Sequence, residues 1–183
     1  MKITLSGSAG TGKGTIAKRL VTKYGLTYYD VGNLRRDEAL KRNMSLAEYN
    51  DWSEHNNQGD TFFDEKQKEI GRVEDNFIFV GRLSWYFIPD AIKILLTVSD
   101  EEAARRIFAH SQSEGRVGEH FLDVDEARES VRTRNASDLT RYGALYGIHS
   151  YDPAQFSLVI DTTSLSEDEV FAKIIAYIDS QSS

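Results

Sequence analysis

The chain contains no cysteine, so neither a disulfide framework nor a thiolate metal site is open to it. It also lacks any run of about 18 apolar residues, which excludes a spanning helix. Its opening, MKITLSGSAG, has no long apolar stretch of the kind a secretory leader carries. The expectation is a cytoplasmic protein with no membrane partner. Basic residues are the minority, 22 Lys and Arg against 29 Asp and Glu, for a net charge of -7. That balance argues against broad binding to nucleic acid, which needs a basic surface. Local arginine clusters can still grip smaller phosphates. What is present is ordinary for a globular protein: 40% hydrophobic and 28% charged residues, in 183 residues that suffice for one domain with a real core.

Strand and helix signals alternate along the chain. Lys2–Ser6 is a short β-rich run that ends at a glycine loop. Ile16, Ala17, Leu20 and Val21 then fall at helical spacing, and Gly25 closes that helix as a C-cap. Leu26–Asp30 forms a second short strand. Residues 31–73 are helical and polar and read as two or three small helices lying over a core. Residues 76–80 and 91–98 are nearly continuous apolar runs, as suits strands covered on both faces. Ser99–Glu102 is a capping box opening a helix that runs through His110. Residues 112–120 read as a polar loop, Asp123–Tyr142 as a helix and Phe156–Asp161 as the last strand. A final helix starts near Ser166, with Val170, Ile174, Ile175 and Ile178 as its apolar stripe. Such alternation predicts an α/β fold with a mainly parallel sheet and helices on both faces. Ligands on sheets of this kind bind beyond the carboxyl ends of the strands.

The glycine loop, GSAGTGKGT, lies at one such end. Gly7, Gly10, Gly12 and Gly14 let the backbone curl, so that the amides from Gly7 through Ser8, Ala9, Thr11 and Thr15 can face phosphate oxygens. The following helix adds the positive end of its dipole, and Lys13 adds a mobile charge. The standard phosphate loop places a hydroxyl directly after the lysine, to sit on magnesium. Here Gly14 follows Lys13 and the hydroxyl comes one residue later, on Thr15.

In this form the loop resembles that of the nucleoside monophosphate kinases, and further segments extend the resemblance. Asp30-Val-Gly-Asn-Leu-Arg-Arg36 is similar to the acceptor-phosphate segment, which makes Arg36 the phosphate ligand and Gly32 the close-approach turn; Arg35 beside it could serve equally. Val80-Gly-Arg-Leu83 places Arg82 at a strand's carboxyl end, suited to a bidentate phosphate contact. Asp60-x3-Asp64-x2-Gln67 and Arg134-x3-Asp138-x2-Arg141-Tyr142, with Tyr146-Gly-Ile148, resemble blocks of the short cytidylate kinase branch. Spacings of three and four put each set on one helix face. Arg106 matches the arginine that lies against the donor base and phosphates.

The resemblance implies a P-loop NTPase-type three-layer sandwich, a five-stranded sheet in the order 2-3-1-4-5. It implies one kinase domain over 1–183, with a helical acceptor-binding subregion at 31–73 and a lid at 111–133. It implies ATP-dependent phosphoryl transfer to a nucleoside monophosphate, CMP or dCMP first, with ATP and Mg2+ as cofactors and a monomer as the default. Lys13, Arg82, Arg134 and Arg141 would be catalytic. Lys13, Arg106 and the loop would hold the donor, with Thr15 near the metal. Gly32, Arg36, Asp60, Asp64, Arg82, Asp138 and Arg141 would hold the acceptor. Two positions depart from the pattern. Val80 stands where the family has an acid that helps hold the magnesium hydration shell, and His110 where it has a second arginine, whose charge Arg116 could supply. Open alternatives are an adenylate kinase, another small-molecule P-loop kinase, or a nucleotide-binding homologue with reduced catalysis. A guanine-reading switch is disfavoured, since Asn135-Ala-Ser-Asp138 lacks the lysine that reads guanine and lies in a helix.

Overall fold

A computed structural model describes residues 1–55, 58–114 and 121–181. Five strands form one parallel sheet in the order β2-β3-β1-β4-β5. They are β1 (Lys2–Gly7), β2 (Thr27–Asp30), β3 (Phe77–Val80), β4 (Ile92–Thr97) and β5 (Leu158–Asp161). Strand order and direction are those the resemblance implied.

The inner strand β3, between β2 and β1, shows why continuous apolar runs suit such a sheet. All four of its residues are buried. Ile78 and Val80 point into a cluster with Ile3, Leu5, Ile16, Leu20 and Ile174. Phe77 and Phe79 point the other way, to Ile70, Trp85, Ile88 and Tyr142. The first cluster lies beneath α1 (Lys13–Tyr24) and α8 (Glu167–Gln181). The second lies beneath α4 (Gln58–Val73), a short α5 (Ser84–Phe87) and α7 (Val124–Tyr146). Three layers result.

Residues 31–73 form three helices, α2 (Val31–Lys41), α3 (Leu46–His55) and α4. The three share a small core, in which Ala39 of α2, Tyr49 of α3 and Phe63 of α4 pack together with Leu34, Met44 and Trp52. The helix α6 (Asp100–Glu114) runs four residues past His110, and α7 continues to Tyr146 rather than stopping at Tyr142. Gly147, with φ 66°, ends α7 by donating its N–H to the Gly143 carbonyl. The last strand begins at Leu158, two residues later than the apolar run suggests, because Pro153–Gln155 forms a single 3-10 turn and Phe156 packs on Trp85. No described helix is long and apolar enough to cross a membrane.

Candidate active site

The glycine loop leaves the end of β1 and enters α1 at Gly12, whose φ is 79°. Gly10 also has a positive φ, 82°, and a Cβ there would lie 2.7 Å from the Cα of Ala103 in α6. Only glycine allows the loop to press so closely on α6. The Ser8 carbonyl accepts from both the Thr11 hydroxyl and the Lys13 ammonium, each at 2.9 Å, which draws the lysine across the loop. By contrast, a Cβ at Gly14 would meet nothing within 4 Å. The flank of the first turn of α1 is open there.

Arg106 anchors the other side of the loop. Its guanidinium donates to the carbonyls of Thr162 (2.7 Å) and Gly10 (3.3 Å) and to the Thr162 hydroxyl (3.1 Å), while Glu102 accepts from its Nε. Thr15, Thr11, Gly12, Arg106, Thr162 and Leu165 line a cavity of about 260 Å³ beside the loop. Ile16, Glu167 and Val170 complete its lining, so it lies between the loop and the start of α8. A larger groove of about 1020 Å³ follows the outer face of α4, past Thr61, Phe62, Glu65 and Arg72. It lies on the surface of α4, and its charged lining mixes Lys66, Lys68 and Arg72 with Glu65 and Glu69.

At the carboxyl end of β3, Arg82 pairs with Asp138 of α7 and donates its Nε hydrogen to the Tyr151 hydroxyl at 3.2 Å. Arg141 reaches the other carboxylate oxygen of Asp138 at 3.1 Å. Burial pushes the Asp138 carboxyl up, while Arg82, Arg141, Arg35 and Arg134 pull it down. Burial also pushes Asp64 up, and Tyr146, which donates its hydroxyl to Asp64, opposes the shift together with Arg35 and Arg141. The Tyr146 hydroxyl is itself raised well above the ordinary phenol value, by burial first and then by that bond. Arg82, Arg141, Arg35 and Arg134 thus act on Asp138, and Arg35, Lys68 and Arg141 act on Asp64.

Of the residues expected from sequence, Arg82, Arg134, Asp138 and Arg141 are brought together, with Asp64 beside them. Gln67, from the same helix face as Asp64, accepts from Ser84 at 2.7 Å and so ties α4 to the segment after Arg82. Asp60 lies in α4, but its side chain falls outside the described residues, as does Arg116. His110 is exposed on α6. Arg36 is partly exposed, beside Gly32, and donates to Asn33 Oδ1 at 2.7 Å. Its neighbour Arg35 is the inward one, 8% exposed, with its guanidinium over the Phe63 ring. Burial lowers the pKa of Arg35, yet an arginine stays charged in a protein. The helix phase carried this signal, since Arg35 is four residues from the buried Ala39.

A glycine loop between β1 and α1 of a parallel sheet, with an arginine cluster at the carboxyl end of β3 and on α7, is the arrangement of a P-loop phosphotransferase. Residues 2–164 match the cytidylate kinase-like family, and the chain belongs to that family and so to the nucleoside monophosphate kinases. It is 35% identical to a cytidylate kinase of Methanopyrus kandleri, over 97% of this chain and 92% of that one. With a cytidylate kinase of Thermoplasma acidophilum it shares 33% identity over the whole of this chain and 94% of the relative. An S-adenosylmethionine-dependent nucleotide dehydratase of Lacinutrix mariniflava is 32% identical over 96% of this chain, but the match spans only 35% of that protein. Among solved structures, a shikimate kinase from Bacteroides thetaiotaomicron superposes with a TM-score of 0.65 at 12% identity, over 99% of this chain and 97% of that one. A likeness at that identity speaks to the fold alone.

Proposed function

We propose that the protein transfers the terminal phosphoryl group of ATP to CMP or dCMP, giving the diphosphate, as a cytoplasmic monomer. The observation that carries this reading is the arginine cluster around Asp138, since it brings guanidiniums suited to an acceptor phosphate to the carboxyl end of β3, beside a buried carboxylate able to bind a sugar hydroxyl. Phosphoryl transfer asks mainly for positioning and electrostatic stabilisation. Lys13 and the loop amides hold the donor's outer phosphates, and Arg106 lies against the donor base. Arg36 and Arg82 hold the acceptor phosphate, with Gly32 giving room and Asp60, Asp64 and Asp138 on the acceptor's nucleoside side. Arg134 and Arg141 stabilise charge on the moving group. Residues 31–73 and 111–133 close over the site and exclude water, as lids do in enzymes that must suppress hydrolysis.

The residues suit a hydrated magnesium ion rather than a protein-built metal cage. No group of three or more His, Asp or Glu side chains able to hold a metal occurs among the described residues, the donors at hand are hard oxygens such as Thr15, and the flank at Gly14 is open. Mg2+ characteristically keeps several waters and binds through substrate phosphates, whose charge it neutralises. A second reading, a nucleotide-binding homologue with reduced catalysis, draws on Val80 and His110, where the resemblance puts an acid and an arginine. A coupled assay with ATP and Mg2+ against CMP, dCMP, UMP, AMP and GMP separates the two. Turnover highest with CMP or dCMP supports the proposal. No turnover with any acceptor, while nucleotides still bind, favours the second reading.

A further inference from the structure

The acid missing at Val80 has a counterpart one strand away. Asp30, the last residue of β2, is the register partner of Val80, just as Tyr28 is the partner of Ile78. Residues paired in this way project to the same side of a parallel sheet, and alternate residues of a strand share a face. Val80 and Ile78 belong to the cluster under α1, and Tyr28 packs against that same cluster. Asp30 therefore lies on the α1 side of the sheet, level with Leu5 of β1, two residues before the glycine loop begins.

The carboxylate is also held in a fixed pose. The Asn33 backbone N–H donates to Oδ1 at 3.1 Å, and the Tyr28 hydroxyl donates to Oδ2 at 2.8 Å. Two carboxylate oxygens offer about four acceptor positions, so both keep capacity for water. The first turn of α1 is open at Gly14, where a Cβ would meet nothing within 4 Å. Val80 itself is buried and offers no polar atom.

We propose that Asp30 is the positioning acid for the water shell of the donor's magnesium ion, in place of the carboxylate that Val80 lacks. This rests on the kinase reading above. Neighbouring strands are about 4.8 Å apart. Mg2+ keeps several waters at about 2.1 Å, so a carboxylate one strand over would accept, at about 2.7 Å, from a different water of that shell than an acid at position 80 would. Asp30 also caps the N-terminus of α2, so a purely structural role must be told apart from this one. Asparagine caps a helix about as well as aspartate, and Asp30→Asn removes the charge while leaving the cap.

The test measures ADP affinity of the full chain by titration calorimetry, with and without Mg2+, and repeats it with Mn2+ while following water proton relaxation. For Asp30→Asn the tightening by metal is expected to shrink about 10-fold, the size typical when an outer partner of a metal site is lost. Metal-free ADP affinity and the thermal midpoint stay unchanged. In the double variant Asp30→Asn/Val80→Asp, checked to be folded by circular dichroism, the metal effect is expected to return. An Asp30→Asn protein that keeps the full metal effect overturns the proposal, whether or not the double variant folds. So does a folded double variant without recovery, or a change confined to the acceptor's KM. A wild-type chain that binds no ADP, with or without metal, sinks the kinase reading instead.

Discussion

Replacing Gly10 with alanine tests the loop architecture on which the donor site depends. A Cβ at Gly10 would stand 2.7 Å from the Cα of Ala103, 2.9 Å from its Cβ and 2.9 Å from its carbonyl oxygen, on a backbone with φ of 82°. Left-handed backbone costs an alanine about 1–2 kcal/mol, and forcing extra atoms against a packed backbone costs about 1–3 kcal/mol. Together these give a loss of about 2–5 kcal/mol. For a chain of this length that is a fall in thermal midpoint of about 4–20 °C. Ala103 is one turn before Arg106, so the displaced loop also disturbs the bond from Arg106 to the Gly10 carbonyl. Gly14→Ala is the control. It sits in the first turn of α1 with open space around it, and exchanging a helical glycine for alanine is expected to stabilise by about 0.5–1 kcal/mol. Urea denaturation gives both stabilities, and calorimetric titration with ADP gives the binding. Equal effects of the two substitutions on stability would refute the packing argument.

Two further outcomes follow from the acceptor side. Arg35→Ala removes a buried guanidinium lying over Phe63 and is expected to cost about 1–3 kcal/mol of stability; Arg36→Ala stays within about 0.5 kcal/mol and acts on acceptor KM and kcat, as denaturation and steady-state kinetics would show. Burial raises Asp64 above its ordinary value of 3.8, so the native state holds that proton more tightly than the unfolded chain does. The associated stability is present below that value and fades as pH rises through the folded pKa. Asp64→Asn does not titrate, and its side-chain carbonyl can still accept from Tyr146. Its stability relative to wild type is therefore expected to rise between pH 3.8 and neutrality, and a flat difference across that range would be contrary to the burial argument.

Much of this architecture is written in local pattern. The apolar runs at 76–80 and 91–98 mark strands covered on both faces, and Phe77 and Phe79 against Ile78 and Val80 show how one short segment serves two cores. The final helix starts where its apolar stripe placed it, and a capping box holds that start, with Glu169 accepting from the Ser166 N–H at 2.8 Å. The short helix Ser84–Phe87 was not legible, because four residues hold too little periodicity, and its tie to Gln67 comes from a helix distant in sequence. The overrun of α7 to Tyr146 has a similar cause. Tyr142 and Tyr146 are one turn apart and both contribute to the second core, so tertiary packing extends the helix until Gly147 can end it. Within the site, spacing alone put Arg134, Asp138 and Arg141 on one face. Distinguishing Arg35 from Arg36 needed the helix phase anchored as well: Arg35 is four residues before Ala39, and that Ala39 is buried follows only from the small core it forms with Tyr49 and Phe63. The relation between Asp30 and Val80 also needed the strand register, which no single segment contains.

The central claim is tested most directly by competition between acceptors. The full chain is given ATP, Mg2+ and equal concentrations of CMP and AMP, and the nucleotide products are separated over the initial phase of the reaction. The account predicts that CDP forms well ahead of any diphosphate made from AMP. Consumption of AMP in preference to CMP, or ATP loss without phosphorylation of either acceptor, would contradict it.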